Sequence, residues 1–259
     1  SKWDRDGNYM GQINYSGTND AFVRDDEGFI TTIARTGSGG SSRRFSLTRF
    51  LPDFAAGTTS QANRWEVSFT SSEDPARGIR DFMNAAQFSS AHLDSDAGLL
   101  YINDRANVFV FNVSAELDSG IDDSINPLQM RTRYLGAVTG ENAAEVSAGD
   151  KFLCTSGSYG SNFSGFSMRN DSEGNLYVTD SCTDRIHKFG PSSVGVGGDF
   201  VRGEYFGWLG RCEASTNNAC DTENQRSRGY TCTNQTCSGV TDGDAPGQFD
   251  QPVFLAMDP

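Results

Sequence analysis

One short element, written three times along the 259-residue chain, constrains the fold more than any other feature. Asp25-Asp26-Glu27-Gly28-Phe29-Ile30 is the first copy. Asp94-Ser95-Asp96-Ala97-Gly98-Leu99-Leu100-Tyr101-Ile102 is the second, and Asn170-Asp171-Ser172-Glu173-Gly174-Asn175-Leu176-Tyr177-Val178 the third. Each sets Asp or Asn ahead of a glycine and an apolar strand after it. That order suits a hairpin turn in which one position takes positive φ. The glycines lie 70 and 76 residues apart.

Two further elements keep step with the first. An aromatic-glycine strand occurs as Tyr9-Met10-Gly11-Gln12-Ile13, Tyr134-Leu135-Gly136-Ala137-Val138 and Tyr205-Phe206-Gly207-Trp208-Leu209, with a weaker relative in Trp65-Glu66-Val67-Ser68-Phe69. A step ending in Phe occurs as Asp20-Ala21-Phe22, Ala86-Gln87-Phe88, Asp150-Lys151-Phe152 and Gly247-Gln248-Phe249. The order never changes: aromatic strand, Phe step, glycine turn, Leu-Tyr-Val strand. Short strands separated by Gly, Asp and Asn turns make an antiparallel meander. The repeating aromatics (Tyr9, Tyr134, Tyr205, Phe22, Phe88, Phe249) are expected in the core.

The repeat is longer than the roughly 40 to 50 residues of a bare four-stranded propeller blade, and the surplus has places. Residues 35–59 are Gly-, Ser- and Arg-rich and are expected to form a long loop. Residues 118–127 are acidic, and 191–198 form a Ser/Gly/Val linker. The largest insertion, 212–243, is polar and holds Cys212, Cys220, Cys232 and Cys237. With Cys154 and Cys182 the cysteines number six. Their spacings lack the close pairs of zinc knuckles, so disulfides in an exported protein are the expectation. Five Asn-x-Ser/Thr sequons, at Asn14, Asn112, Asn162, Asn170 and Asn234, agree with export and make a glycoprotein the expectation.

The net charge of −13 argues against nucleic acid as a partner, because phosphate binding needs clustered Lys and Arg. No apolar run approaches the roughly 20 residues that span a bilayer.

At Asp171-Ser-Glu-Gly-Asn-Leu-Tyr-Val-Thr-Asp180, followed by Asp184-Arg-Ile-His-Lys-Phe189, the chain resembles the NHL repeat of β-propellers. Gly247 to Pro252 with Leu255 to Pro259 resembles the opening of another repeat, and Lys2 to Asn8 the closing strand and turn of one. The middle copy departs, with Val108-Phe109-Val110-Phe111 in place of the Arg-Ile-x-x-Phe strand. The resemblance implies an all-β propeller segment over 1–259, part of a longer chain. It also implies that Cys154 and Cys182 pair within one repeat and that the other four pair among themselves, in any of three ways.

Catalytic signals are sparse. Of the two histidines, His187 is expected on an outward-facing strand position, with Ile186 and Phe189 pointing the other way. His92 is the better candidate for a propeller channel. Two histidines are too few for a zinc lyase of this fold, and no Gly-x-Ser-x-Gly elbow occurs. Asp4-x-Asp6-Gly7-Asn8, Asp94-x-Asp96 and Asp242-x-Asp244 are acidic enough for structural calcium, but the twelfth position from Asp4 is Tyr15 rather than Glu, so plain turns are expected. Gly37 to Gly40 lacks the following Lys of a phosphate loop. The reading is a non-enzymatic structural or adhesive module of a secreted or cell-surface protein, binding other extracellular proteins or copies of itself. The alternatives are a calcium-dependent propeller hydrolase or lactonase, and a glycan-binding module, which would need an exposed aromatic shelf.

Overall fold

A computed structural model describes residues 2–4, 6–12, 21–24, 28–36, 44–68, 90–103, 108–114, 134–139, 167–181, 185–210, 230–232 and 249–257. The elements among them are all strands, and the pairings within residues 2–68 and within 168–232 are antiparallel. The fold is all-β and propeller-like. Contacts divide the chain into two compact units, Ser1–Ala85 with His92–Leu100 and Phe111–Tyr134, and Ala86–Ala91 with Tyr101–Val110 and Leu135–Pro259.

The first unit opens with a small ribbon, β1 (Lys2–Trp3) against β2 (Tyr9–Gly11). Its main sheet runs in sequence order through β3 (Ala21–Arg24), β4 (Ile30–Thr36), β5 (Arg44–Asp53) and β6 (Thr58–Ser68). Part of the stretch expected to be a loop over 35–59 is therefore strand. Phe45, Leu47 and Arg49 alternate with Ser46 and Thr48, a period of two that the surrounding Gly, Ser and Arg obscure. Arg49 is buried, its guanidinium 3.8 Å from the centroid of the Phe29 ring. Trp65, the weaker aromatic-strand copy, lies on β6, the last strand of this sheet.

A second four-stranded sheet has the order β10-β9-β8-β7, from β7 (Ser90–Asp94), β8 (Leu99–Asn103), β9 (Val108–Asn112) and β10 (Tyr134–Thr139). Leu99, Leu100, Tyr101, Ile102, Val108, Phe109, Val110 and Phe111 are all buried. Strands apolar on both faces are what a sheet covered on both sides requires.

The second unit holds β11 (Met168–Asn170), β12 (Leu176–Asp180), β13 (Arg185–Phe189), β16 (Tyr205–Leu209) and β17 (Tyr230–Cys232), in that order across one sheet. Part of the cysteine-rich insertion thus adds a fifth strand, with Trp208 opposite Cys232. The expected linker contains β14 (Ser193–Val194), which forms a small ribbon with β15 (Phe200–Val201).

The repeat is legible in this order. Gly28, Gly98 and Gly174 sit between the first and second strands of the three sheets, at φ of 90°, 64° and 80°. The aromatic-glycine copies lie on β2, β10 and β16. Not every repeated aromatic is core, however: Tyr9 is 53% exposed.

A buried polar cluster at one end of the third sheet

Six of the eleven polar residues buried among the described ones fall at one end of the third sheet: Ser167, Thr179, Asp180, Ser181, Arg185 and His187. The local sequence explains the placement. Leu176-Tyr-Val-Thr-Asp180 and Arg185-Ile-His-Lys-Phe189 form a hairpin whose turn falls at 181–184, and its register sets Val178 opposite His187 and Asp180 opposite Arg185. Successive strand residues alternate faces. Val178, Asp180, Arg185 and His187 therefore share a face, and Asp180 is a diagonal neighbour of His187.

The two side chains meet, His187 Nε2 lying 3.3 Å from Asp180 Oδ2, with 2% of His187 and 1% of Asp180 exposed. An isolated charge at such depth would be costly, and pairing offsets that cost. The carboxylate orients the ring and favours a proton on Nε2, so that Nδ1 is the basic nitrogen of the neutral imidazole. The expectation of an outward-facing His187 is corrected: Ile186, His187 and Phe189 are all buried. Alternation with Ile186 and Phe189 suggested exposure, but His187 faces the Asp180 carboxylate in the interior.

The first strand frames the cluster. The Ser167 N–H donates to Thr179 Oγ1 at 2.7 Å, and the Thr179 N–H donates to the Ser167 carbonyl at 3.0 Å. Ser167 Oγ donates to the Leu255 carbonyl at 3.4 Å.

At the other end of β12 the glycine turn has a different electrostatic character. Asp171 Oδ1 accepts from the N–H groups of Glu173 and Asn175 at 3.0 and 2.9 Å. Asp171 Oδ2 accepts from Asn175 Nδ2 at 2.9 Å and from the Tyr177 hydroxyl at 3.1 Å. Burial pushes the Asp171 carboxyl up, but the hydrogen bonds from Asn175, Tyr177 and Glu173 outweigh it and hold the group below its ordinary value. Burial raises Tyr177, and the hydrogen bond with Tyr177 raises Lys188.

The Asp4 turn repeats this pattern. Asp4 Oδ1 accepts from the N–H groups of Asp6 and Asn8, and Oδ2 from Asn8 Nδ2. Asp94 Oδ1 accepts from the Ala97 N–H in the second sheet. These carboxylates close turns, and among the described residues no three His, Cys, Asp or Glu side chains converge as a metal site would need. The donor sets do not fit a calcium loop. Asp242, Asp244 and Gly37 to Gly40 lie outside the described residues.

His92 is half-buried on β7, on the face alternate to buried Ala91 and Leu93. Among the sequons, Asn112 Oδ1 accepts from the Ser114 N–H and hydroxyl, and Asn170 Nδ2 donates to the Gly174 carbonyl. Asn14, Asn162 and Asn234 lie outside the described residues, as do Cys154, Cys182, Cys212, Cys220 and Cys237. Of Cys232 only the strand position is described. The residues that sequence reasoning passed over are Asp180, Arg185, Ser167 and Thr179. Their signal was polarity at the turn end of a hairpin.

No family model and no curated protein sequence matches the chain. Among solved structures it is similar to a protein from Lactobacillus plantarum, at 10% identity and a TM-score of 0.37, over 77% of this chain and 43% of that one. It is also similar to a candidate 6-phosphogluconolactonase from Bacteroides uniformis, at 13% identity and a TM-score of 0.33, over 73% of this chain and 45% of that one. The chain thus spans less than half the length of either protein. The relationship is a coarse one of propeller-type fold, without the detail of an NHL family. The expectation of a non-enzymatic module is corrected: it rested in part on a lack of catalytic residues, with His187 taken as a surface residue, and His187 is buried against the Asp180 carboxylate.

Proposed function

We propose that the chain carries a hydrolytic centre of the lactonase or ester-hydrolase class, built on His187 and Asp180. The observation that carries this reading is the buried imidazole–carboxylate pair at the turn end of β12 and β13, 3.3 Å apart. In this reading His187 is the general base. It takes a proton from water as the water oxygen bonds to the lactone carbonyl carbon, and the ring C–O bond then breaks. The proton returns to the departing alkoxide, leaving an open-chain hydroxy acid. Asp180 is a positioning residue that keeps the imidazole oriented. Arg185, on the same face, supplies positive charge for the oxyanion.

Glucono-1,5-lactone, its 6-phosphate and 4-nitrophenyl acetate are the substrates to try, with hydrolysis followed by pH-stat or absorbance. The expected result is turnover above buffer that falls roughly 10²- to 10⁴-fold in His187→Gln. Asp180→Asn should lower it less and shift the pH profile. Absence of turnover on all three, or equal rates in His187→Gln, would overturn the reading.

The finer architecture we infer is an NHL-type blade over Asp171–Phe189. Export to an oxidising compartment is inferred from six cysteines and five sequons. Intact mass before and after reduction and deglycosylation tests it: six thiols free in the native protein would end the inference.

A further inference from the structure

The hairpin that buries His187 on one face presents a different surface on the other. Tyr177 and Lys188 are directly opposed across β12 and β13, and each alternates with the Val178–His187 pair. Lys188 Nζ lies 5.0 Å from the centroid of the Tyr177 ring and 5.9 Å from that of Phe206, so the ammonium serves both rings. Phe206 lies against Gly190: a Cβ built on that glycine would come within 3.1 Å of the ring. Any side chain at 190 would press on the ring. Phe206 is 39% exposed all the same.

The polar surround is set in advance. Asp171 accepts the Tyr177 hydroxyl and lies 3.9 Å from Lys188 Nζ, and the Asn175 amide and two turn N–H groups hold its carboxylate. Glu173 and Glu204 are exposed nearby in sequence. The resulting surface has exposed aromatic area and one cation already faced by a carboxylate, with the Glu173 carboxylate also acting on its charge.

We propose that Phe206, Tyr177 and Lys188, with Asp171, form a binding platform for a neutral saccharide. A pyranose offers a flat C–H face for the aromatic ring and hydroxyls for the ammonium and carboxylates. Acidic sugars are disfavoured: the single ammonium is countered by Asp171, and the chain carries a net charge of −13. The platform is separate from the proposed hydrolytic pair, which occupies the opposite face of the same strands.

Affinity electrophoresis of the whole chain tests the proposal, in native gels containing hydroxyethyl cellulose, laminarin, glycogen, galactomannan or alginate. Retardation by at least one of the four neutral polysaccharides is expected. Phe206→Leu, which keeps apolar contact over Gly190 but removes the ring, should weaken it at least tenfold. Lys188→Gln should weaken it about threefold, and Asp180→Asn should leave it unchanged. Circular dichroism of each variant separates loss of binding from loss of fold. Should Phe206→Leu misfold, Tyr177→Leu takes its place with the same expected loss. No retardation by any neutral polysaccharide, retardation by alginate alone, or unchanged binding in a folded ring-removing variant would overturn the proposal.

Discussion

Strands β8 and β9 hold the same places in their repeat as β12 and β13 hold in theirs, yet their buried positions are filled with different chemistry. The first is hydrocarbon and aromatic throughout, Leu99 to Ile102 and Val108 to Phe111, each at most 1% exposed. The second mixes Leu176, Val178, Ile186 and Phe189 with Thr179, Asp180, Arg185 and His187. Apolar burial of about 25 cal/mol per Å² drives the first without further conditions. The second adds ionisable groups that are tolerable only while they face one another. A hairpin that needs only to be stable has no use for such groups. The contrast therefore marks the third sheet as the place where this repeat departs from pure architecture.

The largest expected effect lies in the hydrocarbon hairpin. Phe111→Ala should cost about 3–5 kcal/mol, since lost transfer energy and a cavity add. Urea denaturation followed by fluorescence measures it, and a loss below about 1 kcal/mol would mean that the site collapses around the gap. In the polar hairpin, Asp180→Ala should cost about 3 kcal/mol, because His187 loses its partner at depth. The paired change Asp180→Leu with His187→Leu sharpens the comparison. It turns the second hairpin into the first, and it should recover most of that loss while abolishing hydrolysis.

The glycine turns offer the next contrast. A Cβ at Gly98 would lie 2.5 Å from the Ser114 Cβ and 2.8 Å from its Cα, at φ +64°. At Gly174, φ +80°, the nearest atom would be the Pro191 Cβ at an ordinary 3.5 Å. Gly174→Ala should therefore cost only the left-handed strain, about 1–2 kcal/mol, and Gly98→Ala distinctly more, about 2–4 kcal/mol, because backbone must shift as well. Equal losses in thermal melts would show that Ser114 moves aside freely.

What the sequence makes legible follows from which forces are local. Positive φ at Gly28, Gly98 and Gly174 is a property of four or five residues, and the repeat announced it three times. The alternation in Phe45-Ser-Leu-Thr-Arg49 was equally local but lay in Gly- and Ser-rich surroundings, so β5 read as loop. The Asp180–His187 pair is a cross-strand contact. It depends on a register that sets Val178 opposite His187, which no spacing within either strand reveals. Exposure of Phe206 depends on what its neighbours leave uncovered, which its place in the motif does not announce. The cysteines stay a matter of composition, since five of the six lie outside the described residues.

The smallest expected effect is one of pH, and it separates the two ends of β12. Hydrogen bonds in the turn hold the Asp171 carboxyl below its ordinary 3.8, so the folded state favours the ionised form. The resulting stabilisation is present in full above that value and is lost as pH falls through the folded-state value. Exposure and salt keep it small, under about 1 kcal/mol. On the alkaline side Lys188 is raised above 10.5, so its contribution holds below that pH and fades as pH climbs through the folded value. Melting midpoints of the native chain and Asp171→Asn should thus differ at pH 7 and converge toward pH 2. The turn at Asp94, whose carboxylate accepts from the Ala97 N–H, has no Asn at the place of Asn175 to donate a side-chain amide. If Asp94→Asn produced a pH-dependent shift as large as Asp171→Asn, the Asn175 and Tyr177 bonds would not be what distinguishes the third turn, and its platform would have lost its anchor.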